Sequence, residues 1–195
     1  LTSFRQLSAP RQRQLLSAWM KGEDLYRPAF DMVQRLFDEV IESKVDAQAA
    51  LHWNQYYYVR YQQQLFRVSK AEYLAEQFQT IESIEQRFSL NQAYALASGQ
   101  YYIETQKYGL SSALLEQPLQ IKPRLGGEKL HLYGRVGAWP LKKAIQSAQI
   151  FPWQRHTIQI LSIDNVMLGV FTPKGFWLVE SAYCEVGGWQ PNLIA

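Results

Sequence analysis

Between Gln120 and His156 stand seven basic side chains, Lys122, Arg124, Lys129, Arg135, Lys142, Lys143 and Arg155, against a single acid, Glu128. The rest of the chain holds 13 basic and 16 acidic residues, so a net charge of +3 conceals one strongly positive stretch on a mildly acidic protein. Charge gathered in this way offers contact with a polyanion, the alternative being a basic face that meets only water. Lys142 and Lys143 follow Pro140 and fall in the first turn of an expected helix. Cations there face the positive end of the macrodipole and are disfavoured by about 0.3–1 kcal/mol each when exposed. An anion reverses that, because free backbone N–H groups and two ammonium groups then converge on it, and a nucleic-acid phosphate fits the chemistry. Arg135 and Arg155 flank the element and extend the track along neighbouring phosphates, with Lys129 and Arg124 upstream.

Other chemistries find little support. There is neither a G-x-x-x-x-G-K-[ST] nor a G-x-G-x-x-G loop, and Gly126-Gly127 is followed by Glu128, whose charge would repel a phosphate; a turn is the expected use. His52, His131 and His156 are far apart and lack cysteine or acid in ligand spacing, so no metal site is expected. Cys184, beside Glu185, has no basic neighbour to stabilise a thiolate. Glu39, Glu42 and Asp46 suit the wet side of an amphipathic helix better than paired catalytic carboxylates. No catalytic or cofactor-binding residue is therefore assigned. Trp139 and Trp153, near the basic stretch, read as core plugs. The cluster Tyr56, Tyr57, Tyr58 and Tyr61 alternates like a strand and leaves rings for solvent or a partner, and Arg60 and Arg67 on the same unit are candidate RNA contacts.

The elements that position these residues follow from periodicity. Ser8 is a candidate cap for a helix carrying Leu15, Leu16, Trp19 and Met20 and stopping at Gly22. Pro28 opens a second, in which Val33, Leu36, Phe37, Val40 and Ile41 keep the helical period. Three β-prone runs, 51–53, 56–61 and 65–68, separated by short polar breaks, predict a meander. The signal weakens over 71–115, read as a connecting region with strands near Phe88–Leu96 and Tyr101–Ile103. Beyond it come a strand at Leu119–Ile121, a helix from Pro140 with Leu141, Ala144, Ile145 and Ala148 on one face, and strands at 158–163, 166–171 and 176–179. Asp164-Asn165 and Pro173-Lys174-Gly175 supply the turns. The class is α+β: a helical domain with a small strand meander over 1–70, the connecting region 71–115, and a small α+β domain over 116–195 whose helix begins with basic residues. With 47% hydrophobic and 19% charged residues the chain of 195 is an ordinary folded protein. One cysteine and no run as long as a membrane span point to a reducing compartment, the cytoplasm.

Two segments together resemble one family. LSAPRQRQLLSAWMKGEDLYRPAFDMVQRLFDEVIESKVDAQAALHWNQYYYVRYQQQLFRV resembles the central substrate-binding domain of bacterial tRNA(Ile)-lysidine synthetases: an arginine-rich first helix with a Trp near its end, a Pro-started second helix ending in Glu-Val, an Asp, then a strand unit with Arg-Tyr. GGEKLHLYGRVGAWPLKKAIQSAQIFPWQRHTIQIL resembles their carboxy-terminal domain, with Gly-Arg, Leu-Lys-Lys, Pro-Trp and Arg in order. The sequence departs from the family at Gln159, where proline is usual, at Asp164-Asn165, where glycine is common, and at Trp139-Pro140 in place of Ser-Lys. The resemblance implies a parent ligase that adenylates the wobble cytidine of tRNA(Ile) with ATP, magnesium assisting, and lets lysine attack to give lysidine. That activity belongs to an amino-terminal ATP-pyrophosphatase domain with an S-G-G-x-D-S loop, which these residues do not contain. Leu1 opens close to a helix without an initiating methionine, so the expectation is a piece that lacks the catalytic domain, is inactive alone, and partners that domain and tRNA(Ile). The competing expectation is a protein-interaction or dimerisation module, a homodimer included, motivated by the abundant aromatics.

Overall fold

The computed structural model describes residues 1–44 and 49–194 and divides the chain into two compact units, Leu1–Ala75 and Glu76–Ala195. Asp46 lies outside the described residues.

The first unit opens with a short helix α1 (Thr2–Arg5) and the longer α2 (Ala9–Lys21). Ser8 is the N-cap residue, but its side chain makes no capping bond; its carbonyl accepts from Gln12 N at 3.0 Å, and the buried Gln12 amide donates to the carbonyls of Phe4 and Leu7. Gly22 ends the helix at φ +50°, where its N–H still reaches Ala18. Leu16 and Met20 face the core, whereas Leu15 and Trp19 lie half in solvent. The next helix starts at Phe30, two residues after Pro28, because Ala29 holds extended backbone as the N-cap. α3 (Phe30–Arg35) then widens into a π-helical turn, Leu36–Ile41, in which Glu42 N reaches back to Phe37 O at 3.0 Å. Val33, Leu36, Val40 and Ile41 remain buried through that change. They meet Leu51 and Tyr58 of the antiparallel meander β1 (Ala50–Trp53), β2 (Tyr56–Tyr61) and β3 (Gln64–Ser69). A short α4 (Lys70–Tyr73) follows, capped by the Ser69 hydroxyl.

The short α5 (Ala75–Phe78) begins on the last residue of the first unit and continues into the sequence of the second. The second unit contains two larger antiparallel sheets, a two-stranded antiparallel ribbon and one main helix. Its strands are β4 (Ile84–Gln86), β5 (Ala93–Leu96), β6 (Gly99–Leu110), β7 (Leu119–Pro123), β8 (Lys129–Leu130), β9 (Trp139–Pro140), β10 (Gln159–Ile163), β11 (Val166–Thr172), β12 (Gly175–Leu178), β13 (Cys184–Val186) and β14 (Trp189–Ile194), with helix α6 (Leu141–Ser147) following β9. One sheet runs β12-β11-β10-β7-β4; the other is built on β6, which pairs with β5, β13 and β14. Tyr101, Ile103 and Leu110 of β6 pack with Trp189 against Leu119, Ile121, Leu161, Leu168 and Phe171 of the first sheet. The opposite face of that sheet, through Ile160 and Val170, carries α6 by Leu141, Ala144 and Ile145. β10 is therefore buried along its whole length, the polar Gln159 and Ser162 included. The hairpin from β10 to β11 turns on Asp164 and Asn165, both at positive φ, as a two-residue turn of the favoured twist requires.

The connecting region expected over 71–115 is thus different in kind. From Glu76 onward it is part of the second unit, and its longest strand, β6, is the centre of a sheet. β6 pairs with β13 and β14, 74 to 94 residues downstream, a partnership with no local sequence signal.

Gly169, in β11, leaves room for the ring of Phe176 on β12: a Cβ there would stand 2.0 Å from the ring. Gly169→Ala must push that ring aside and is expected to destabilise the second unit by about 1–3 kcal/mol, read as a lower urea midpoint at unchanged slope.

Candidate nucleic-acid interface

The chain between β7 and α6 makes a loop, a two-stranded ribbon and a second loop. Arg124 follows β7 and is half-buried; Leu125, Gly126 and Gly127 form the first loop. Glu128 closes it by turning its carboxylate inward, where Oε1 accepts from the N–H groups of Leu125 at 2.7 Å and Gly126 at 2.6 Å. Partial burial works to raise the pKa of this carboxyl, but the N–H groups of Gly126, of Glu128 itself and of Leu125, with the Arg124 charge, outweigh it and hold it below the ordinary value. The loop is a turn with its own anion in place.

The ribbon aligns the cations. β8 and β9 pair so that Lys129 lies opposite Pro140 and Leu130 opposite Trp139. Lys129, exposed, is thereby brought beside the residues that open α6. The guanidinium of Arg135, in the loop joining the two strands, lies over Trp139 with its carbon 4.3 Å from the ring centroid. Lys142 and Lys143 project from the first turn of α6 and are exposed, opposite to the face made by Leu141, Ala144 and Ile145. Among the described residues no salt bridge involves Lys129, Arg135, Lys142 or Lys143, and the two salt bridges present, Arg5–Glu42 and Arg35–Glu39, belong to the first unit.

The helix entrance itself offers less than its sequence implies. α6 has seven residues, Pro140 at its N-cap has no N–H, and Leu141 N donates to Glu128 O at 2.9 Å. The cationic side chains, not a cup of free amides, dominate this surface. Arg155 also differs from its neighbours: it sits half-buried in a 3₁₀ turn, Pro152–Thr157, and its Nε donates to Ile150 O at 3.1 Å. Of the six residues singled out from sequence, the ribbon brings together Lys129, Arg135, Lys142 and Lys143, while Arg124 serves the Glu128 loop and Arg155 braces the chain after α6.

Aromatic residues near this element are largely structural. Trp153 is 8% exposed and stacks on Phe151 at 4.9 Å, and Trp139 is half-buried beneath Arg135. In the first unit, Tyr58 is fully buried and donates to Met20 O; Tyr57 stacks on Tyr73 at 4.3 Å; Tyr56 lies under Arg67 at 4.4 Å. Most of the tyrosine cluster is thus occupied within its own unit. Arg60, a candidate RNA contact by sequence, gives its guanidinium to the carbonyls of Ile41, Ser43 and Lys44 at 2.6–2.8 Å. Among the described residues no three His, Cys, Asp or Glu side chains come together as a metal site, and no helix is long and apolar enough to cross a membrane.

Two family models match the chain in succession: the TilS substrate binding domain over residues 1–66 and the TilS substrate C-terminal domain over residues 119–184. The chain belongs to the TilS family. Its relatives include a tRNA(Ile)-lysidine synthase of Acinetobacter baylyi, 62% identical over 197 residues that cover all of this chain and 42% of the relative. One from Xanthomonas campestris is 27% identical over 86% of this chain and 37% of the relative. This TilS chain therefore spans less than half the length of the curated relatives it matches. A crystal structure of a TILS C-terminal domain superposes with a TM-score of 0.41 at 18% identity, covering 58% of this chain and 99% of that one; so slight a likeness carries no argument. The two matched segments fall one in each compact unit, and the remaining strands of the second come from residues 76–118 and 185–194.

Proposed function

We propose that this chain is the tRNA-holding part of a tRNA(Ile)-lysidine synthase, acting in the cytoplasm. In the proposed whole enzyme, ATP and lysine convert the wobble cytidine of tRNA(Ile) to lysidine, and a catalytic domain outside these 195 residues binds ATP and magnesium. The observation that carries the reading is the set of four exposed cations, Lys129, Arg135, Lys142 and Lys143, on one ribbon and one helix turn, none of them in a salt bridge among the described residues. Such side chains sit where phosphates can reach them and release counterions on contact. Contacts of this kind set grip and register; they do not read bases. Arg124 and Arg155 add to the positive charge of the same stretch of chain.

The test is tRNA binding across a salt series. Lys142→Ala combined with Lys143→Ala is expected to lower low-salt affinity and to reduce the slope of log K against log salt by roughly 0.7–0.9 for each phosphate that is no longer neutralised. Both side chains are exposed, so the urea midpoint should not move. Unchanged affinity in the double variant would remove the assignment.

A second reading, self-association, has its own observation. Leu25, Tyr26 and Phe30, 67–80% exposed, stand close together in the sequence of the first unit. Concentration-dependent sedimentation without RNA affinity would favour it over the first.

A further inference from the structure

Behind the cationic front the second unit has a cleft of about 360 Å³. Phe176, Trp177 and Leu178 on β12, the edge strand of its sheet, form one side. The segment Leu132–Arg135 forms another, held along β12 by Tyr133 N donating to Leu178 O at 2.9 Å. Ala144 and Ser147 of α6, with Ala148 that caps it, close the third, and Gln190 of β14 completes the lining. Tyr133 is held in place from behind: its ring stacks on Tyr108 at 4.7 Å, and the Tyr108 hydroxyl donates to the Glu180 carboxylate at 2.5 Å. That bond first, with some desolvation, pushes the Tyr108 phenol up to about 12, so the donor keeps its proton at any ordinary pH.

Three properties decide what such a cleft takes. Its walls are aromatic and flat, with Tyr133 and Trp177 both lining it, while Ser147, Gln190 and Arg135 bring polar edges. Its volume lies at the low end for small-molecule sites and suits one planar heterocycle with its sugar. Its charge is set by position: Arg135 belongs both to the cleft and to the phosphate-facing front, and α6 supplies one wall of the cleft and both lysines of that front. A planar ligand attached to a phosphodiester satisfies all three.

We propose that the cleft holds one unpaired nucleobase adjoining the end of the RNA duplex whose phosphates the Lys129–Lys143 front grips. The proposal rests on the RNA-holding reading and adds to it a place where the RNA is single-stranded. Stacking on aromatic side chains tolerates any base, so the cleft senses that a nucleotide is unpaired more than which nucleotide it is.

The experiment compares two RNA hairpins with the same duplex, one blunt and one with a four-nucleotide single-stranded 3′ extension, titrated against the full chain at one salt concentration. The extension is expected to strengthen binding about tenfold, the order of gain from one stacked base. Ser147→Trp fills the cleft from the exposed side of α6 and is expected to keep the blunt-hairpin affinity while abolishing the gain. Tyr133→Ala, which removes a half-exposed wall, gives the same reading should the tryptophan variant not fold. Equal binding of the two hairpins by the unaltered chain overturns the cleft assignment and leaves the RNA-holding reading standing; binding of neither hairpin overturns both. A gain that survives in a folded Ser147→Trp places the base elsewhere and also overturns it. So does loss of self-association in that variant when the unaltered chain shows no gain from the extension, which would give the cleft to a second copy of the chain.

Discussion

Trp189→Ala is expected to cost the second unit about 3–5 kcal/mol, the range for removing a large aromatic side chain from a packed interior. The indole is 1% exposed and lies against Phe88 at 5.6 Å between centroids. Its Nε1 donates to Ser111 O at 2.9 Å, so truncation leaves both a void and a carbonyl without its donor. It also stands at the start of β14, whose whole length pairs with β6. Hydrogen exchange should show the loss first at the amides of Ile103 to Leu110, and the urea midpoint should fall with it. Protection at Val59 and Val68, in the first unit's own sheet, should be retained. Trp189→Phe, which keeps most of the volume but not the N–H, should lose only part as much.

The second large effect is expected at Arg60. Its guanidinium closes the end of the π-helical turn by donating to Ile41 O at 2.6 Å, Ser43 O at 2.7 Å and Lys44 O at 2.8 Å. A cation at the carboxyl end of a helix also meets the negative end of its dipole. Bonds from a charged donor are worth more than neutral ones, but this side chain is partly solvated, and the sum is discounted accordingly. Arg60→Met, which keeps the aliphatic stem, should lower the stability of the first unit by about 2–4 kcal/mol. Arg5 also reaches Ile41 O, at 3.2 Å, and softens the loss. Where the variant is still folded, its salt slope for RNA should equal that of the unaltered chain, because this arginine is spent on main-chain oxygens. A reduced slope would return Arg60 to the RNA-contacting set.

These two residues mark where the sequence is legible and where it is not. The meander, α2, α6 and strands β10 to β12 are readable because each has a local signal: apolar spacing, a polar break or a turn pair such as Asp164-Asn165. Trp189 lies in a strand that has none. β14 contains Pro191, tolerated because β14 is an edge strand, and β6 mixes Glu104 and Lys107 with its tyrosines, so neither reads as one strand of a sheet core. Their pairing spans most of the second unit and is settled by tertiary burial. The cations of the candidate interface are legible for the opposite reason, since charge is a property of composition. Which of them work together is not: the ribbon register sets Lys129 beside α6, and the 3₁₀ turn after that helix takes Arg155 to a carbonyl. The cleft is invisible in sequence because its walls come from residues 132–135, 144–148, 176–178 and 190.

The inward carboxylate of Glu128 makes its loop a site with a resident competitor. A phosphate approaching the amides of Leu125 and Gly126 must displace an acid tethered within three residues, present at an effective concentration of roughly millimolar or more. A small free anion at ordinary concentration is therefore at a disadvantage there. Because the carboxyl's folded pKa is lowered, this hold is complete at neutral pH and lapses only as acidity passes below that value. The glycine loop is thus self-capped, its donors already satisfied by a neighbour in the chain.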